Sequence, residues 1–190
     1  MTANEFPSLD SIHTIVFDFD GIFTNNKVLI HEIGSEAVVC DRSDGLAFDI
    51  LRAYQKIYGL NFNYFILSKE SNPVVLSRAK KLKLPCKNAI SNKLKYLENY
   101  FLENFPEYKN PFQGLVYLGN DLNDLPIMRR AGFSIAPSDA HPLVLKIAHI
   151  ILPQRGGDGF IRAFIEKLLK IDSLSTEKID ELIFNCWNRH

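Results

Sequence analysis

Ile12-His13-Thr14-Ile15-Val16-Phe17-Asp18-Phe19-Asp20-Gly21-Ile22-Phe23-Thr24 decides the fold. A short apolar run rich in β-branched residues, Ile12 to Phe17, has strand length and ends abruptly in two carboxylates and a glycine. Two aspartates two residues apart at a strand end can divide labour: one attacks or ligates a metal, the other transfers protons. Gly21 lets the chain turn sharply beside a ligand. The plainer reading is a polar turn capped by aspartates, and the preceding strand together with Thr24 favours chemistry.

Outward from this stretch, Lys27 to Asp41 reads as a hairpin turning at Ile33-Gly34-Ser35. Asp44 is placed to cap a helix carrying Leu46, Ile50, Leu51 and Tyr54, which Gly59 stops. Phe62 to Leu67 is the next strand, and Asn72-Pro73 opens a helix bearing Val74, Val75, Arg78, Ala79 and Leu82. Ser91 is read as the cap of a helix through Leu94, Leu97 and Phe101. Leu115 to Leu118 is a third core strand, and Asp124 opens a helix that closes at Ala131-Gly132. Phe133–Ala136 and His149–Leu152 read as strands, Gly159–Leu169 and Ser175–Trp187 as helices. Strands alternating with helices imply an α/β fold: a three-layer, Rossmann-like, mostly parallel sheet with an inserted β-hairpin. Ligands of such sheets bind beyond the carboxyl ends of the strands, where each polar motif falls.

The 190 residues read as one domain over 1–190, with a core at about 11–171 and a helical tail at 172–190. Lys plus Arg and Asp plus Glu number 22 each, so the formal net charge is zero, and the cations are scattered. That argues against nucleic acid or an anionic membrane as partner. A small phosphorylated substrate needs only a local cluster of cations. The N-terminus has no signal-peptide pattern and no apolar run reaches membrane-spanning length, so a cytoplasmic protein is expected. Cys40, Cys86 and Cys186 have neither zinc nor disulfide spacing. His13, His31, His149 and His190 form no constellation, and His141 before Pro142 suits a structural hydrogen bond.

Asp18-Phe19-Asp20-Gly21 with Thr24, then Ser68, then Lys93 in Ser91-Asn92-Lys93, then Gly119-Asn120-Asp121-Leu122-Asn123-Asp124 resemble the four ordered motifs of the haloacid-dehalogenase phosphatases. About fifty positions from Asp18 to Ser68 and about twenty-five from there to Lys93 leave no room for a cap domain. With Asp44-Gly45, Asp139-Ala140-His141-Pro142 and Arg155-Gly156-Gly157, the chain is similar to the capless 3-deoxy-D-manno-octulosonate 8-phosphate phosphatase group. That group is close to nonulosonate (sialic-acid-type) 9-phosphate phosphatases and to the tail domain of acylneuraminate cytidylyltransferases.

The resemblance implies a phosphatase that uses Mg²⁺ and an aspartyl-phosphate. Asp18 is the nucleophile, Asp20 the general acid and base, and Ser68 and Lys93 the phosphate-holding groups. Asp18, Asp20 and Asn120 hold the metal, with Asp121 and Asp124 either direct ligands or one step behind. Thr24, Glu70, Arg78 and Lys81 are assigned to the substrate, a phosphorylated 2-keto-3-deoxy sugar acid destined for lipopolysaccharide or another surface glycan. The resemblance further implies a homo-oligomer, a tetramer joined through the Lys27–Asp41 hairpin, because a site with no cap must be closed by a neighbour. Ser68-Lys69-Glu70 stands where many octulosonate-phosphate phosphatases read Thr-Gly-Arg, and Asn120 stands where they have Asp. Both departures point toward the nine-carbon substrates or toward a weakly active oligomerisation module. A phosphoacceptor receiver domain, whose acceptor lies on a middle strand, is the remaining alternative.

Overall fold

The computed structural model describes residues 5–187; the expectation that His190 joins no constellation lies outside them. Strand β1 (Thr14–Phe17) is buried along its whole length, as a central parallel strand covered on both faces must be. It pairs in parallel with β4 (Asn63–Leu67) on one side and β6 (Leu115–Leu118) on the other. The sheet runs β5 (Cys86–Lys87), β4, β1, β6, β7 (Phe133–Pro137), β8 (Ile150–Leu152), and every pair is parallel. Successive side chains go to opposite faces. Ile15, Phe17, Ile66 and Leu118 join one core, while Val16, Phe65, Leu67 and Tyr117 join the other. Helices α1 (Ser43–Tyr58), α2 (Pro73–Leu82), α6 (Phe160–Leu168) and α7 (Thr176–Trp187) contribute buried residues to the first core. Helices α3 (Lys93–Asn104), α4 (Leu125–Met128) and α5 (Pro142–Leu145) contribute to the second.

Between β1 and β4 the chain forms only a two-stranded hairpin, β2 (Leu29–Ile30) with β3 (Glu36–Ala37), and α1. The hairpin stands out from the domain: Leu29, Ile30 and Ile33 are 64%, 70% and 84% exposed. Asn72, at the start of α2, donates from its side chain to Glu36 and so ties β3 to that helix.

Several local expectations shift. Asp44 does not cap α1; it lies inside the first turn, 1% exposed, because its carboxylate meets Arg78 from α2. Asp41 accepts from the Ser43 N–H at 2.8 Å instead. The cap of α3 is Asn92 rather than Ser91, its side chain accepting from Lys95 N. Helix α4 stops at Met128, well short of Ala131-Gly132, and β5 was not expected, while α5 opens at Pro142 behind His141. The cap at Asn72, the left-handed stop at Gly59 and the His141 hydrogen bond to Leu143 N are all present.

Candidate active site

The carboxyl ends of β1, β4 and β6 open on a cleft of ≈ 420 Å³ lined by Asp18, Asp20, Ser68, Glu70, Asn120 and Asp121. Asp18 is 5% exposed. Its Oδ1 accepts from Lys93 Nζ at 2.7 Å and from the Phe19 N–H at 2.7 Å. Among the described residues its other oxygen has no such partner. Lys93 opens α3 and also donates to Asp124 Oδ1, at 3.0 Å. Burial would depress the Lys93 ammonium, but the Asp18 and Asp124 carboxylates outweigh it and hold its pKa above the usual lysine value. Burial, then the Asp124 charge, push the Asp18 carboxyl up to about 7 against the pull of Lys93 and the Phe19 N–H. Asp20 is raised too, by burial first and then by Glu70, with Lys93 opposing and Glu36 adding to the rise.

Asp124 is fully buried, and four donors take up its two oxygens. Lys93 Nζ and the Tyr117 hydroxyl (2.7 Å) share Oδ1; the Asn120 and Asp121 N–H groups (3.0 and 3.2 Å) share Oδ2. Tyr117 stays a neutral donor, because burial and the neighbouring Asp124 and Asp18 charges raise its pKa well above the usual value. Asn120 packs face to face with the Asp20-Gly21 turn: a Cβ added to Gly21, whose φ is +77°, would fall 1.9 Å from Asn120 Nδ2. Asn120 Oδ1 is buried with no hydrogen-bond partner. Leaving such an acceptor unpaired costs about 1–3 kcal/mol, which marks it as aimed at something that binds. The Arg155-Gly156-Gly157 stretch backs the same turn; a Cβ on Gly156 would meet the Gly21 carbonyl oxygen at 2.0 Å.

Ser68 is 1% exposed, and its Oγ accepts from Glu70 N at 3.0 Å. Glu70 folds back, Oε1 accepting from Ser71 N at 2.7 Å and Asn72 N at 3.0 Å, so it braces the start of α2 while lining the cleft.

Three expected substrate residues lie off the cleft. Thr24 is fully buried and its Oγ1 accepts from Gly21 N (3.2 Å) and Asn26 N (3.1 Å), so it pins the turn. Arg78 donates to Asp44 Oδ2 at 3.0 Å and to the Asp41 carbonyl, which aims it at α1 rather than at a ligand. Lys81 is exposed on α2 and does not line the cleft. The wall also includes Asn26 and Ser71, and Lys69 and Asn123 from the motifs, none of them given a role from the sequence. Asn26 carries a signal visible only in the backbone, a φ of +61° at a residue that is not glycine. Tyr117 did carry a sequence signal: a tyrosine in a buried strand needs a partner for its hydroxyl.

Among the described residues no three His, Cys, Asp or Glu side chains gather as a metal cluster. Donors at this cleft include oxygens of Asp18, Asp20 and Asn120, a set that suits a hard divalent cation such as Mg²⁺, and the unpaired Asn120 Oδ1 fits it.

A family model described as haloacid dehalogenase-like hydrolase matches residues 91–164. A 3-deoxy-D-manno-octulosonate 8-phosphate phosphatase from Yersinia pestis is 42% identical over 55 residues, which is 29% of this chain and 29% of that protein. The match therefore spans under a third of that curated relative's length. A solved putative HAD family hydrolase from Streptomyces avermitilis MA-4680 is 36% identical, with a TM-score of 0.77 over 90% of this chain and 94% of that one. A structure of 3-deoxy-D-manno-octulosonate 8-phosphate phosphatase from Moraxella catarrhalis, in complex with a magnesium ion, a phosphate ion and a KDO molecule, has the same fold. It is 24% identical, with a TM-score of 0.75 over 93% of this chain and 94% of that one. Matched over nearly all of the Streptomyces protein at that identity, this chain belongs to the haloacid dehalogenase-like hydrolases. Its connections between β1 and α3 hold only the hairpin, two helices and two short strand steps, as in members without a cap domain.

Proposed function

We propose that this protein is a Mg²⁺-dependent phosphomonoesterase acting on a phosphorylated 2-keto-3-deoxy sugar acid, of the 3-deoxy-D-manno-octulosonate 8-phosphate type. The observation that carries this is the unpaired, buried Asn120 Oδ1 set beside Asp18 and the Asp20 turn, with Lys93 clamped on Asp18. The name of the Yersinia relative supports the substrate class.

In this reading Asp18 attacks phosphorus through a carboxylate oxygen, and the bond from phosphorus to the sugar oxygen breaks. Asp20, whose carboxyl is raised by burial and then by the Glu70 charge against the pull of Lys93, gives its proton to the leaving oxygen. Asp20 then takes a proton from water as that water attacks phosphorus, the Asp18–phosphorus bond breaks and inorganic phosphate leaves. Ser68 Oγ and Lys93 hold the equatorial oxygens of the phosphoryl group. Asp18, the Asp20 carbonyl and Asn120 would hold Mg²⁺, whose charge offsets the repulsion between nucleophile and phosphate. Asp124, with both oxygens occupied, orients Lys93 and the Asn120–Asp121 backbone rather than binding metal. Asp121, exposed on the cleft wall, remains available as a ligand through water.

The exposed apolar hairpin is read as the joint of a homotetramer that closes the cleft. No helix of the described residues is long and apolar enough to cross a membrane, and the proposed setting is the cytoplasm, in surface-glycan synthesis. The test is phosphate release from the octulosonate 8-phosphate and from a nonulosonate 9-phosphate, with Mg²⁺ and with a chelator. Metal-dependent release that favours the eight-carbon acid supports the proposal. Preference for the nine-carbon acid moves the substrate, and no release from either leaves a non-catalytic module.

A further inference from the structure

The fully buried Tyr117 belongs to none of the four motifs, yet its hydroxyl reaches the centre of the charge cluster. It donates at 2.7 Å to Asp124 Oδ1, the oxygen that also receives Lys93 at 3.0 Å. Lys93 in turn lies nearer to Asp18, at 2.7 Å. A carboxylate oxygen with two donors pulls less strongly on each than it would on one alone. Asp124 Oδ2 cannot take over, because the Asn120 and Asp121 N–H groups occupy it.

We infer that Tyr117 is a positioning residue for Lys93: by sharing Asp124 Oδ1 it leaves the ammonium closer to Asp18, where the phosphoryl group must be received. Tyr117 is fully buried on β6, so the sheet fixes its ring, and Lys93 reaches the same Asp124 oxygen from the start of α3. This rests on Asp18 being the nucleophile, and the test is arranged so that the two claims can fail separately.

Tyr117→Phe removes one oxygen and keeps the ring. Turnover of p-nitrophenyl phosphate with Mg²⁺ should fall about tenfold in kcat at a temperature well below the unfolding midpoint, since one hydrogen bond to a charged group is lost. In protein labelled with ¹⁵N-lysine, the ammonium resonance of Lys93, assigned by its absence in Lys93→Arg, should shift and exchange faster with solvent. A merely structural tyrosine would lower the midpoint and move neither readout. An unchanged resonance, or an unchanged kcat in an otherwise active protein, overturns the inference. If the wild-type protein releases no phosphate but the resonance still moves in Tyr117→Phe, the positioning role stands and the phosphatase reading falls.

Discussion

Among the described residues, two largely buried carboxylate–cation clusters can be compared: one lines the cleft and the other lies between helices. Lys93 meets Asp18 at 2.7 Å and Asp124 at 3.0 Å, while Arg78 meets Asp44 at 3.0 Å. The carboxylates of both are nearly buried, while the Lys93 side chain is 4% exposed and that of Arg78 14%. What differs is how many carboxylates touch the cation and where the cluster opens. At the strand ends two carboxylates share one ammonium, with Asp20 close by, and the surplus negative charge opens on the cleft. Between α1 and α2 the Asp44 carboxylate meets the Arg78 guanidinium, which also holds the Asp41 carbonyl and has the Asp41 carboxylate nearby. A pair seated between two helices, off the cleft, fixes those helices. An open, acid-rich cluster is unfinished until a cation and a ligand arrive, and it is there that chemistry is to be sought.

The sharpest way to break this contrast is Asp18→Asn. The amide is a poor nucleophile of nearly the same shape, so phosphate release should fall by at least ~10⁴-fold. The urea midpoint should hold or rise, because one of two carboxylates competing for Lys93 has lost its charge. A variant that keeps full activity removes Asp18 from the mechanism.

Arg78→Met probes the other cluster and should act on stability instead. It strands a buried carboxylate, at a cost of about 3 kcal/mol near pH 7.5 by urea unfolding. Burial already raises the Asp44 carboxyl to about 6 with the arginine pulling it down, so losing the arginine moves it higher still. Its folded pKa then lies well above the unfolded value of about 3.9, so the penalty is present at high pH and fades as pH falls through the folded pKa. Unfolding at pH 5 should therefore show a clearly smaller loss than at pH 7.5. Turnover per folded molecule should stay within about twofold, since Arg78 lies off the cleft. A larger loss of turnover with stability unchanged would return Arg78 to the substrate.

What the sequence could convey follows the range of the interactions concerned. The strand Ile12–Phe17, the Asn72-Pro73 start and the Gly59 stop are local: propensity, a side-chain cap and a left-handed glycine all lie within a few residues. The strand-end placement of Asp18, Ser68 and Asn120, with Lys93 at the start of α3 beside them, was also legible, because alternating strands and helices fix which ends share a crevice. Asp44 is not the cap the sequence suggests, and its pairing with Arg78 escapes the sequence for one shared reason. Each looks like a solvated or capping residue in its own helix, and only the packing of α2 on α1, 34 positions apart in the chain, turns them toward each other. Arg78 and Lys81 are three apart on α2, but Arg78 points inward to Asp44 and Lys81 is exposed. The short β5, whose two residues pair only with β4, has no periodicity long enough to read.

The smallest expected effect sharpens the comparison from the opposite side. Arg130 meets Glu98 at 2.6 Å, closer than either Lys93 to Asp124 or Arg78 to Asp44, both at 3.0 Å. If contact distance set the worth of an ion pair, this would be the strongest of the three. The side chains of Arg130 and Glu98 are 44% and 33% exposed, however, so water and salt screen the attraction and the ordering of two long side chains opposes it. Arg130 also lies 4.0 Å over the centre of the Phe112 ring and keeps that contact whatever happens to Glu98. Glu98→Gln should therefore leave the urea midpoint unchanged within error at about 0.15 M salt. A loss comparable to that of Arg78→Met would mean that distance, rather than burial and charge balance, ranks the ion pairs of this protein.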